Sequence, residues 1–223
     1  WDIANIPEED IIEPSITAIH DTVKRCEAEK NEWDEFLAKK QLYEKFKKDE
    51  RKPVHKIMED DLVRYYEYNF YEEKPEWKYP VEQPPRLAVV LDDCLNSDVM
   101  ARRSSGLTNL AIRHRHICDG LGISLFMLVQ SYCAQGGVPR VIRENTTHLM
   151  LFKINDEKQI AKIKEESDLD ISDEQFNEML NICHSEPYQF LMIDFSPKCN
   201  TKKFRKGFNE FLIPEGTVCE CKK

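Results

Sequence analysis

Along residues 15–48 apolar side chains return every three or four positions: Ile19, Val23, Cys26, Trp33, Phe36, Leu37, Leu42, Tyr43 and Phe46, with charged residues between them. That period, in a run rich in helix formers, predicts one or two amphipathic helices. A further helix is expected over residues 60–71, with tyrosines and a phenylalanine crowded at its end. Residues 72–85 then carry Pro75, Pro80, Pro84 and Pro85, which forbid a regular hydrogen-bonded element and predict an extended connector.

Beyond the connector the pattern changes to short apolar runs. Arg86-Leu-Ala-Val-Val-Leu-Asp-Asp93 reads as a strand buried on both faces that delivers two acids at its C-terminal tip. Residues 104–117 suit a helix with Leu107, Leu110 and Ala111 on one face. Gly122-Ile-Ser-Leu-Phe-Met-Leu-Val-Gln130 reads as a second buried strand ending in a polar residue. A Gly-Gly-Val-Pro loop leads into residues 140–145, and His148-Leu-Met-Leu-Phe152 forms a third strand. Residues 156–185 are helical in pattern, with Ser172-Asp-Glu-Gln175 as a capping box, and residues 188–195 give a last strand. Strands alternating with helices predict a parallel α/β sheet. There is no internal repeat and no low-complexity tract.

Composition narrows the chemistry. No stretch approaches the roughly 20 apolar residues a membrane helix needs, and Trp1-Asp-Ile lacks the form of a signal peptide. Only 7 glycines occur among 223 residues, and none precedes Gly106. A dinucleotide fingerprint or P-loop needs glycine for its tight turn, so neither lies in the first half, and Gly-Lys-Ser/Thr occurs nowhere. The 8 cysteines fall in a long chain rather than a short secreted one, which points to reduced thiols and an intracellular setting. Cys94, Cys118 and Cys133 read as small buried thiols. Cys219-Glu-Cys221, with Cys183-His184 and Cys199, has a spacing shorter than the usual zinc-ligand gap.

The net charge of −9 is unevenly spread. Residues 1–85 carry 22 acids against 14 bases and residues 156–195 carry 11 against 3, whereas residues 86–155 carry 5 against 8 and residues 196–223 carry 3 against 7. A basic middle framed by acidic flanks fits a polyanion bound at a restricted surface. Three divisions follow: an acidic helical segment with its connector (1–85), a sheet-bearing core (86–195) and a basic C-terminal tail (196–223).

In parallel sheets ligands bind at the carboxyl ends of strands, where Asp92, Asp93 and Gln130 are expected. An apolar strand followed by two acids has the form of a Walker B element, in which one carboxylate holds the Mg²⁺ shell and the next polarises water. An amide at the next strand end suits a sensor for phosphate or water. Arg113-His-Arg-His116 and Arg140-Val-Ile-Arg143 flank the Gln130 strand. Arg143 and Arg115, in that order, are the candidates for an arginine reaching a γ-phosphate across a subunit boundary. His114 and His116 have no nearby nucleophile or third ligand and suit hydrogen bonding at a helix end.

Taken together, Leu-Asp-Asp at 91–93, Arg-His-Arg-His at 113–116, Leu-Val-Gln-Ser-Tyr at 128–132 and Gly-Gly-Val-Pro-Arg-Val-Ile-Arg-Glu-Asn-Thr at 136–146 resemble the genome-packaging ATPases of large eukaryotic DNA viruses. These form the poxvirus-type branch of the FtsK–HerA superfamily, and the likeness is strongest over residues 86–166. It implies a RecA-like P-loop fold, here an incomplete, mostly parallel sheet flanked by helices with a helical N-terminal segment. It also implies ATP and Mg²⁺ as cofactors and a homo-oligomeric ring. The partners would be double-stranded DNA and viral capsid proteins, and the setting the viral factory in host cytoplasm or the virion. By resemblance Asp92 would hold Mg²⁺ through water, Asp93 would be the catalytic acid and Gln130 the sensor. Arg143 and Arg115 match conserved polar positions, either of which serves as the finger. Arg102, Arg103, Lys202 and Lys203 are expected to contact DNA. The family's Walker A element, which lies upstream of Walker B, is missing, and the simplest expectation is that the chain begins after it. The alternatives are a nucleotide-free structural or adaptor paralogue of the same fold, and a conjugation or partition motor.

Overall fold

A computed structural model describes residues 6–94, 97, 99, 100, 105–133, 137–167 and 169–218. The chain divides into two compact units, one from residues 1–91 and 113–127, the other from residues 92–112 and 128–223.

In the first unit the amphipathic run is one helix, α1 (Ile16–Asp49). The Ser15 hydroxyl accepts the Ala18 amide at 3.0 Å and caps its start. Ile19, Cys26, Trp33, Phe36 and Phe46 are its buried stripe. A second helix, α2 (Glu59–Glu67), opens on three acids that complement the helix dipole. Tyr65 and Phe70 pack on Phe46, and the Tyr65 hydroxyl donates to Asp49 Oδ2 at 2.8 Å. Residues 72–85 contain no helix or strand, as their prolines predict. This connector lies against α1: the Trp77 ring is 4.9 Å from Trp33 and 5.2 Å from Phe36. Lys78 Nζ reaches Glu29 Oε1 at 2.8 Å.

Two strands, β1 (Leu87–Asp92) and β2 (Ile123–Leu128), form a small parallel sheet. Both were expected to be buried on both faces. Instead burial alternates along each, and Val90, Phe126 and Leu128 are exposed. With two strands paired, one face of the ladder is left open. Gly122 closes the turn that enters β2. Its φ is +76°, and a Cβ there would sit 3.1 Å from the His114 carbonyl, which accepts the Ile123 amide at 2.8 Å.

The second unit contains most of α3 (Ser105–Arg113), then α4 (Arg140–Glu144), β3 (His148–Leu151), α5 (Glu157–Ser167), α6 (Asp173–Cys183), β4 (Leu191–Asp194), β5 (Phe204–Lys206) and β6 (Glu210–Leu212). The capping box of α6 forms as its sequence predicts: Gln175 N donates to Ser172 Oγ and Ser172 N to Gln175 Oε1. The four strands make an antiparallel sheet in the order β3-β4-β5-β6. Leu151, Leu191, Ile193 and Phe204 pack from it against Ile163, Phe176, Met179 and Leu180 of the two helices.

The expectation of a mostly parallel sheet is therefore corrected: the chain is α/β, but among the described residues only β1 and β2 are parallel. The third strand, β3, pairs Leu149 with Ile193 and Leu151 with Leu191 in the opposite direction. The reason is local. Strand β4 is bonded by β3 on one edge and by β5 on the other, so this sheet closes on its own neighbours. Residues 204–212, within the stretch expected as a basic tail, supply β5 and β6, with Phe204 buried in the core and Gly207 at φ +61° in the turn between them. No helix among the described residues is long and apolar enough to cross a membrane.

Candidate functional site

The end of β1 is marked by an unusual backbone. Asp93 adopts φ +50°, the left-handed region that costs an L-residue strain and that aspartate tolerates better than most. Its amide donates to the Leu128 carbonyl at 3.4 Å. Its carboxylate meets the residue two places beyond β2, because Gln130 Nε2 donates to Asp93 Oδ1 at 3.1 Å. A carboxylate only accepts, so the amide presents its NH₂ and leaves Gln130 Oε1 to accept from another donor. Asp92, Asp93 and Gln130 are exposed. Of the residues expected from sequence, Asp93 and Gln130 are thus brought together, with Asp92 beside them in the chain.

The segment after Gln130 is held by α5. Gln159 Oε1 accepts the Tyr132 amide at 2.9 Å and the Ser131 hydroxyl at 3.4 Å. Gln159 is itself oriented by Asp156, whose Oδ2 accepts from Gln159 Nε2 at 3.2 Å. The other Asp156 oxygen takes the Lys158 amide at 2.9 Å, which ties this carboxylate to the start of α5. Those bonds hold the Asp156 carboxyl below its usual range, the Gln159 amide contributing most.

Arg143 lies in the same unit and is fully engaged. Its Nε and Nη2 donate to the two Glu166 oxygens at 2.8 Å each, Nη1 donates to the Val138 carbonyl, and the guanidinium stacks 5.1 Å from the centre of the Tyr132 ring. The pairing lowers the Glu166 carboxyl below its ordinary value, the hydrogen bonds from Arg143 being the main cause. Burial, with Glu166 beside it, pushes the Tyr132 phenol up to about 12.

Arg115 is exposed in the turn after α3 and belongs to the first unit. Lys203 Nζ donates to the Leu169 carbonyl at 3.2 Å, and Lys202 is exposed. Arg102 and Arg103 lie outside the described residues, as do Cys219 and Cys221. Among the described residues no group of three His, Cys, Asp or Glu is placed to hold a metal ion.

Glu166, Gln159 and Asp156 were missed from sequence. Glu166 and Gln159 sit in α5, whose charge reads as solvation, and only Asp156, just before that helix, offered a local signal as a capping acid. No protein-family model, no curated protein and no solved structure matches this chain.

Proposed function

We propose that the chain carries the hydrolytic strand ends of an ATP-driven DNA translocase of the viral genome-packaging type. The observation that supports this reading is the Gln130–Asp93 bond, which joins an acid after one parallel strand to an amide after its neighbour. In such a site the Asp93 carboxylate draws the proton of the attacking water and Gln130 Oε1 fixes that water's second hydrogen. Asp92, exposed at the strand end, suits a Mg²⁺ ion held through water, because Mg²⁺ takes one or two carboxylates and fills its shell with waters and phosphates. The ion would supply charge neutralisation of the phosphates. The residues of this chain supply the base and its alignment.

The 223 residues hold no Gly-x-x-x-x-Gly-Lys-Ser/Thr, and on this reading the phosphate cradle is supplied from outside them. Mg-ATP hydrolysis by that product, with and without duplex DNA, tests the proposal. DNA-stimulated turnover that falls about a hundredfold or more in Asp93→Asn supports it. The adaptor reading has its own motive in the missing P-loop and in the engagement of Arg143 by Glu166. A complete product with no turnover favours that reading instead.

A further inference from the structure

Side chains on the β3-β4-β5-β6 sheet alternate between two faces. One face sends Leu149, Leu151, Leu191, Ile193, Phe204 and Leu212 into the core beneath α5 and α6. On the other, cross-strand pairing aligns Met150, Met192, Arg205 and Phe211 in one row. The Arg205 guanidinium lies 4.8 Å from the centre of the Phe211 ring. Beside this row run Phe152, Phe190 and Phe208, with successive ring centres 5.1 Å apart. Met192 and Phe190, on the central strand side of this face, are buried at 6% and 9%, whereas Phe152 is 52%, Phe208 59% and Phe211 43% exposed around them.

Charge is segregated between the layers. Residues 157–183, which span α5 and α6, carry eight acids against three bases. The strands and their connections, residues 148–154 and 190–213, carry two acids against six bases. Lys153, Lys198 and Lys202 are exposed near strand ends. Arg205 is held loosely: its Nη2 is 3.7 Å from Asp194, its Nη1 3.5 Å from the Phe208 carbonyl, and its buried Nε makes no hydrogen bond. The two Nη groups keep donor capacity for a closer acceptor. A protein partner docking on exposed rings would gain from apolar contact without needing this concentration of positive charge. A flexible polyanion with flat bases uses both.

We propose that this sheet face binds single-stranded nucleic acid, with bases stacked on Phe152, Phe208 and Phe211 and phosphates drawn by Arg205 and the lysines. The site needs no nucleotide and uses neither Asp93 nor Gln130, so it survives failure of the ATPase proposal. The test is fluorescence anisotropy of the 223-residue chain with a labelled thymidine oligonucleotide of about 20 residues, a duplex of equal length, and heparin. The single strand is expected to bind tightest. Phe152→Ala, Phe208→Ala and Phe211→Ala should each weaken it about tenfold, while Phe211→Tyr keeps the affinity and heparin binding is unchanged. Neutralising Lys198 and Lys202 should make the salt dependence shallower. Circular dichroism melting checks that each variant folds, and Phe211→Tyr reads the ring's role even where the alanine variant does not fold. Three results would overturn the proposal. One is no retention of the oligonucleotide at low salt. Another is equal weakening of oligonucleotide and heparin by ring truncation. The last is self-association in sedimentation that the same substitutions abolish, which would assign the face to a second copy of the chain.

Discussion

Arg143 and Glu166 meet through two parallel N–H···O bonds of 2.8 Å, and both side chains are largely withdrawn from solvent. This fork-on-fork geometry is the strong form of an ion pair, and it ties α4 to α5 around the Tyr132 ring. Removing Glu166 leaves a desolvated guanidinium without its carboxylate, and removing Arg143 leaves Glu166 with the longer contact to Lys162 at 3.8 Å. Glu166→Ala is therefore expected to lower the unfolding free energy by about 2–4 kcal/mol, and Arg143→Lys to recover little of a lost Arg143 because lysine lacks the fork. Urea unfolding measured on both variants checks this. A loss within about 0.5 kcal/mol would mean the pair is no better than an exposed one. Loss of activity in an Arg143 variant must for the same reason be read beside its stability.

The pair also sets a pH limb. Because the folded-state Glu166 carboxyl lies below its unfolded value, its stabilisation is complete above the ordinary glutamate range. It is lost as pH falls through the folded value. Tyr132, raised to about 12, contributes in the opposite sense: its stabilisation holds below the ordinary tyrosine value of about 10 and is lost as pH rises from there through about 12. Melting temperature against pH should show both limbs. Glu166→Gln should flatten the acid one, and an unchanged acid limb in that variant would contradict the assignment.

Gln159 offers a separate check on the segment that follows Gln130. Gln159→Leu removes the acceptor for the Tyr132 amide and the Ser131 hydroxyl. Hydrogen exchange at the Tyr132 amide is expected to accelerate about fivefold, the equivalent of one hydrogen bond of roughly 1 kcal/mol. Gln159→Glu keeps an acceptor and should keep much of the protection. Equal acceleration in both variants would show that the amide is protected by something else.

In the first unit Phe46 is the hub, 2% exposed and in ring contact with Tyr43, Tyr65, Phe70 and Tyr71. Phe46→Ala should cost about 3–5 kcal/mol in the α1–α2 unit. Calorimetry or residue-resolved exchange reads it, and a loss below about 1 kcal/mol would mean the ring cluster does not hold this unit together.

Local elements were legible in the sequence wherever one rule decided them. The period of apolar residues marked α1, the prolines of 72–85 marked an unstructured connector, and Ser172 with Gln175 marked the cap of α6. Sheet membership was not legible, because a run such as His148-Leu-Met-Leu151 carries the same hydrophobic signature whether its neighbour runs parallel or antiparallel. Its partner lies some forty residues on, and the Phe204–Leu212 hairpin that completes the ladder was masked by its lysines and arginine. Asp93 and Gln130 were legible as strand-end residues. Their mutual bond was not, since it depends on the left-handed turn at Asp93.

The claim that Asp93 and Gln130 act as one unit in hydrolysis is tested most directly by a double-substitution cycle on Mg-ATP turnover by the complete gene product in the presence of duplex DNA. Asp93→Asn and Gln130→Leu are each expected to lower turnover about a hundredfold or more, and the double variant to be scarcely worse than either alone. Wild-type turnover left intact by both substitutions, or losses that simply multiply, would contradict the account.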